Sequence, residues 1–411
     1  MRRPLVILFV HQNFPAQFRH IAEWLGANTE HKIFALGDIK NIPKGYSPKG
    51  VTVLGYATPN GAGENTHHYI RGHEEDIRRG QQVVRAAQSI QKRGVHPDVV
   101  VAHSGWGEAL FLKPIFPNAK HIQYCEFYYR AENSDVGFDP EFPANPESPF
   151  RIVCRNSTQL LSLTQADVGI SPTQWQKSLY PTEFHSKIQV LHEGINTQRM
   201  QPDDQASFNW EGKTYSKADK VVTYVARNLE PYRGFHSFMR SIPGIQTRHP
   251  DATIFVVGGD DVSYGSRLAN GENYREHYIK ELGNRVNWDN VHFTGKLPYG
   301  QYRSVLQISS AHLYLTYPFV LSWSLVEAMS VGCTLITSST PPLMEVIEDN
   351  VNGLMVDFFD IENIANTISD VLDAPEKYRH LAQAARKKAV SEFDLETVTL
   401  PKWAKCVLGS A

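Results

Sequence analysis

From His312 to Thr337 the chain reads as strand, loop, helix and strand, and that order leaves few folds open. His312 to Thr316 is a short β-prone run that ends before Pro318. The helix that begins near Ser322 sets Leu325, Val326, Ala328 and Met329 on its buried side, and Gly332 closes it. Thr334 to Thr337 is the second strand. Such a unit carries its loop at the carboxyl end of a parallel strand, where unpaired backbone N–H groups and the positive end of a helix dipole converge. A phosphate fits this place.

The same alternation runs through the rest of the chain. In the amino half, Leu5 to Val10, Lys32 to Ala35, Val51 to Leu54, Asp98 to Ala102, His121 to Glu126 and Val168 to Ser171 are predicted strands. Helices are expected over Ala16 to Leu25 and, as a long polar element, over about His67 to Lys92. A second series starts at the strand Lys220 to Val225 and continues through Thr253 to Val257 and Val291 to Phe293. Strand and helix in strict alternation make a doubly wound parallel sheet, and 411 residues suit two domains of about 200 each. We therefore expect an amino domain over 1–197, a polar linker over 198–219 and a carboxyl domain over 220–394. A terminal helix over 395–411, broken at Pro401, is expected to cross back to the amino domain. Ala131 to Pro149 reads as a long irregular insertion.

Composition excludes several classes. Lys and Arg number 41 against 43 Asp and Glu, so no whole-chain field recruits nucleic acid or an anionic membrane. Cysteines at 125, 154, 333 and 406 have no paired spacing, which argues against a disulfide framework or a zinc site. The six-residue apolar run Leu5 to Val10 leads into His11-Gln-Asn-Phe-Pro rather than a cleavage site, and reads as a buried strand. No run approaches the ~20 apolar residues of a membrane span. A cytoplasmic location follows as the expectation, with at most peripheral contact at the inner face of a membrane.

Ser324-Leu-Val-Glu327-Ala-Met329-Ser-Val-Gly332, followed by Pro342-Leu-Met-Glu345 and Asn352-Gly353, resembles the donor-site motif of family 4 glycosyltransferases, retaining enzymes of the GT-B fold. That implies two Rossmann-like domains facing a central cleft. Of the two glutamates in the family pattern, Glu327 matches the second, which receives the ribose hydroxyls; the first falls at Phe319. The resemblance implies a donor site made of Glu327, the Phe319-Val320-Leu321 loop, and Ser322, Trp323 and Ser324 at the helix start. Glu327 also fits a capping box with Ser324, the structural alternative.

Arg227 at the end of a strand and Arg233 just before a helix place two forked cations at the same sheet edge, suited to the oxygens of a diphosphate. The resembling family carries an arginine and a lysine there. An exposed pair between Arg227 and Glu230 is the alternative. In the amino half, His103 and Glu126 end two successive strands, and Glu126 stands near the family's sugar-contacting histidine. Arg227, Arg233 and Glu126 are thus the expected catalytic residues. His103, Phe14 and Gln17 are the expected contacts to sugar or acceptor. The acid pair Asp260-Asp261 follows a glycine turn, and His67, His68 and His73 lack one-turn spacing, so neither is read as a metal site. The implied function is retaining transfer of a sugar from a nucleotide diphosphate donor to a carbohydrate or lipid-linked acceptor, with no metal. A nucleotide-sugar epimerase, or a non-catalytic sugar-nucleotide binder, is the alternative.

Overall fold

The structure is a computed structural model and describes residues 3–409. It divides into two units, one comprising the chain up to Gly194 together with the segment from Leu395 onward, the other running from Ile195 to Asp394.

The first unit is built on a seven-stranded sheet of β1 (Val6–Val10), β2 (Lys32–Asp38), β3 (Val51–Tyr56), β4 (Val99–His103), β5 (Lys120–Tyr124), β6 (Val168–Ser171) and β7 (Ile188–Val190). The order is β3-β2-β1-β4-β5-β6-β7, and every pair is parallel. Strands covered by helices on both faces are apolar throughout, which is why all of Val99–His103 is buried. The direction of winding reverses between β1 and β4, leaving a crevice at their carboxyl ends.

In the second unit, β8 (Ser207–Trp210) and β9 (Lys213–Ser216) form an antiparallel hairpin. Its main sheet comprises β10 (Val221–Asn228), β11 (Thr253–Gly259), β12 (Val291–Gly295), β13 (Ala311–Tyr314), β14 (Leu335–Ser338) and β15 (Leu354–Val356), in the order β12-β11-β10-β13-β14-β15. All these pairs are parallel too, and the reversal falls between β10 and β13.

Two expectations need correction. The stretch 198–219 is not an open linker. Phe208 and Tyr215 of its hairpin are buried against Phe255, and Arg386 Nη1 donates to the carbonyls of Thr197 and Met200 at 2.9 and 2.8 Å, fastening its start to the second unit. The long polar helix begins at Arg71 rather than His67. Among the described residues, no helix is long and apolar enough to cross a membrane.

One buried group makes the second unit sensitive to acid. His312 on β13 is fully buried; its Nδ1 lies 2.8 Å from Thr223 Oγ1, and burial lowers its pKa to about 3. The unfolded chain binds a proton near 6.5 while the folded unit refuses it, so stability is full above about pH 6.5 and is lost as pH falls toward 3. Between pH 7 and 5 this one group should remove roughly 2 kcal/mol from the second unit. Denaturant titrations at both pH values should show a smaller loss in His312→Gln; equal losses would rule the histidine out as the cause.

Candidate functional site

The carboxyl ends of β10 and β13 meet at the second unit's switch point, and a narrow pocket lies there. Arg227, Glu230, Arg233, Tyr264, Tyr314, Ser322 and Ser324 line it. Arg227 is exposed at the end of β10. Arg233 ends a short helical turn and is held by Gly234, whose φ of 69° is left-handed and whose Cβ, were there one, would lie 2.4 Å from Leu315 Cβ. Only glycine permits that turn to sit against β13.

The Arg233 side chain is buried, with 6 % of its surface exposed. Nη1 donates to Tyr314 Oη at 2.9 Å, Thr316 Oγ1 at 2.7 Å and the Val320 carbonyl at 3.1 Å, and the guanidinium lies 5.6 Å from the centre of the Tyr264 ring. These oxygens are neutral. Among the described residues no carboxylate forms an ion pair with Arg233. A buried cation without a counter-charge is costly, and an anionic ligand removes that cost.

Glu230 does not pair with Arg227. It is buried and accepts from the backbone N–H groups of Ser263 at 2.9 Å and Gly265 at 2.8 Å, so it shapes the loop carrying Tyr264. At the far wall, Ser322 caps the helix Trp323–Val331, its hydroxyl accepting from Ser324 N–H at 3.3 Å, and Gly332 ends the helix with a φ of 78°. The cap therefore lies two residues before Ser324, which removes the Ser324–Glu327 capping box.

Glu327 lies outside the lining of this pocket. Its Oε1 accepts from Tyr299 Oη and its Oε2 from Tyr302 Oη, each at 2.8 Å, and burial raises its pKa against the pull of those two bonds. Phe319, Val320 and Leu321 are buried. Phe319 packs edge-on against Tyr232 at 5.3 Å and lies 4.8 Å from Tyr264, so it backs the wall while the Val320 carbonyl supplies the polar contact. Trp323 packs on the core of its unit. Tyr264, Tyr314 and Thr316 were not singled out from the sequence; the last two lie at the end of the strand beside β10, which is the signal that marks them.

In the first unit the crevice between β1 and β4 gathers His11, His103, Glu108 and Glu126. His103 Nδ1 accepts from Gly105 N–H at 3.0 Å, so the ring proton sits on Nε2 and points to Glu126 Oε2 at 3.3 Å. Gln17 Nε2 donates to the other carboxylate oxygen at 2.7 Å. Glu108 is fully buried and accepts from Gln12 N–H, and burial raises its pKa; burial likewise lowers that of His11. Phe14 is a correction: it is fully buried in the core of the first unit beside Tyr46, and its ring cannot meet an acceptor. The loop holds the place of a glycine-rich turn in the resembling family, but here Phe14 turns its ring inward.

The description "Glycosyl transferase family 4 group" matches residues 29–200, and "Glycosyl transferases group 1" matches residues 208–388. Similar curated proteins include spore coat protein SA of Bacillus subtilis, 25% identical over 52% of this chain and 56% of that protein. Glycogen synthase of Mycobacterium tuberculosis is 24% identical over 52% of this chain and 46% of its own length. The alignment thus spans about half the length of these relatives. Among solved structures, sucrose-phosphate synthase from Thermosynechococcus elongatus has a TM-score of 0.73 at 17% identity, covering 99% of this chain and 100% of that one. Anabaena HepE in complex with UDP and glucose has a TM-score of 0.65 at 15% identity, again over 99% and 100% of the two chains. With two α/β units, each built on an all-parallel main sheet, and both family descriptions matched in succession, the chain belongs to the family 4 glycosyltransferases of the GT-B fold.

Proposed function

We propose that this protein transfers a glycosyl group from a nucleoside diphosphate sugar, held by the second unit, to an acceptor held by the first, with retention of anomeric configuration. The observation that carries this reading is Arg233, a buried guanidinium bonded only to neutral oxygens beside Arg227 and a helix N-terminus. Two cations and the first-turn amides of that helix suit a diphosphate. Glu327 receives the ribose on the lone pairs its tyrosines leave, since a carboxylate offers about four acceptor sites. Phe319 gives the donor sugar an apolar wall in place of the carboxylate of related enzymes.

In this mechanism the departing diphosphate takes the acceptor's proton on the face it leaves, and the protein's task is to position the reactants and neutralise charge. His103 and Gln17 hold Glu126 in a fixed orientation toward the donor sugar or acceptor. UDP-glucose and GDP-mannose, donors of the kind that structural and curated neighbours carry in their names, serve as the first test. Release of nucleoside diphosphate above the uncatalysed background, with product of the donor's own anomeric configuration by NMR, is expected. Free nucleotide with an altered sugar in the absence of acceptor would instead identify an epimerase.

A further inference from the structure

We infer that the acceptor carries a phosphoryl group, bound in a cavity of the first unit between the helices Arg71–Lys92 and Ser148–Gln165. This rests on the reading of that unit as the acceptor side. The cavity measures about 760 Å³ and reaches Gln12, Gly105 and Trp106, which follow β1 and β4, so it opens on the crevice that holds His103 and Glu126.

Four guanidiniums line it, those of Arg71, Arg79, Arg151 and Arg155, against two carboxylates, Glu75 and Asp76. Arg71 and Arg151 are exposed, and their guanidiniums make no hydrogen bond or ion pair among the described residues. Arg155 lies 3.7 Å over the Tyr129 ring and donates to its hydroxyl at 2.6 Å, so its partner is neutral. Arg79 donates to the Trp106 carbonyl at 3.1 Å, while its Nε is buried with no partner. Two acids face it: Asp76 stands at 3.9 Å and accepts from Thr158 Oγ1 at 2.7 Å, with its pKa raised by burial to about 7, and Glu108, whose pKa burial also raises, feels the Arg79 charge. The cavity therefore holds a surplus of forked cations, two of them uncommitted, and guanidinium forks match phosphoryl oxygens bidentately. Trp106 adds a flat apolar wall of the kind on which a sugar ring rests.

The test is calorimetric titration of the full chain with UDP present at saturation, so that phosphate probes do not enter the donor pocket. Glucose 6-phosphate is compared with glucose, and phosphatidic acid vesicles with phosphatidylcholine vesicles. At least one phosphorylated probe should bind tenfold or more tightly than its neutral counterpart, and which one does so tells a free sugar phosphate from a lipid headgroup. The Arg71→Ala/Arg151→Ala variant, altered at two exposed side chains, should lose that preference while its affinity for UDP stays unchanged. Equal binding of phosphorylated and neutral probes, an undiminished preference in the variant, or glucuronate binding as tightly as glucose 6-phosphate would each overturn the inference. Failure of UDP to bind would count against the donor reading alone, because loss of the phosphate preference in the Arg71→Ala/Arg151→Ala variant still assigns probe binding to the first unit.

Discussion

Arg233→Ala is expected to lower turnover at saturating donor by on the order of 10²–10³, the cost of removing one preorganised group that stabilises developing charge. The guanidinium sits at the switch point, where among the described residues no carboxylate pairs with it, and in the proposed transfer negative charge on the distal phosphate grows as the glycosidic bond breaks. Its stabilisation is thus larger in the transition state than in the bound donor. The substitution strips a donor from Tyr314, Thr316 and the Val320 carbonyl but also relieves the cost of burying an unpaired charge, so the two effects on folding oppose each other and turnover must be compared where both proteins are folded. Arg233→Lys keeps the charge but cannot reproduce the planar fork, and a smaller loss is expected. A raised Michaelis constant with turnover intact would mean that the arginine supplies only uniform binding, and the leaving-group role would be wrong.

Why Arg227 and Arg233 were legible in the sequence and their surroundings were not follows from the fold. Both arginines lie within one strand-turn-helix segment, so their placement at a sheet edge follows from local pattern. Tyr314 and Thr316 lie 81 and 83 residues further along, and only the pairing of β10 with β13 brings them to the guanidinium. The same holds for Glu327. Its motif was visible, but Tyr299 and Tyr302, which take both its oxygens, come from a separate helix.

Buried parallel strands announced themselves as apolar runs, since helices cover both their faces. The hairpin β8–β9 did not. Each strand has four residues, its turn is Glu211-Gly212 with φ values of 48° and 83°, and only Phe208 and Tyr215 mark the buried side. Two turn residues with positive φ are the pattern of a tight hairpin, and the polar flanks concealed it. The arginines of the first unit escaped for a third reason. Each helix alone looks like a solvated charged face, and the cavity exists only where the two helices pack.

Trp403→Ala is expected to destabilise the first unit by about 3–5 kcal/mol, the usual cost of deleting a buried aromatic side chain. The chain leaves the second unit at Asp394, and from Leu395 on it belongs to the first. There Leu395, Leu400, Trp403, Cys406 and Val407 are buried in one core with Phe18 and Tyr124. Trp403 has 2 % of its surface exposed; its ring stacks on Tyr124 at 6.4 Å, lies 6.5 Å edge-on from Phe18, and donates from Nε1 to the His192 carbonyl at 3.1 Å. Lys120 Nζ adds a bond to the Cys406 carbonyl at 2.6 Å. A loss of this size is a large fraction of the 5–15 kcal/mol typical of a folded domain. Because the segment belongs to the first unit, the second should keep its fold, and UDP affinity should survive at denaturant concentrations where the first unit of the variant has already unfolded. Trp403→Phe retains most of the ring packing and loses the indole hydrogen bond, so its cost should be nearer ~1 kcal/mol. Should Trp403→Ala cost less than that, or abolish UDP binding in step with unfolding, the terminal segment would not be an independent part of the first unit's core, and the division of the chain at Asp394 would have to be redrawn.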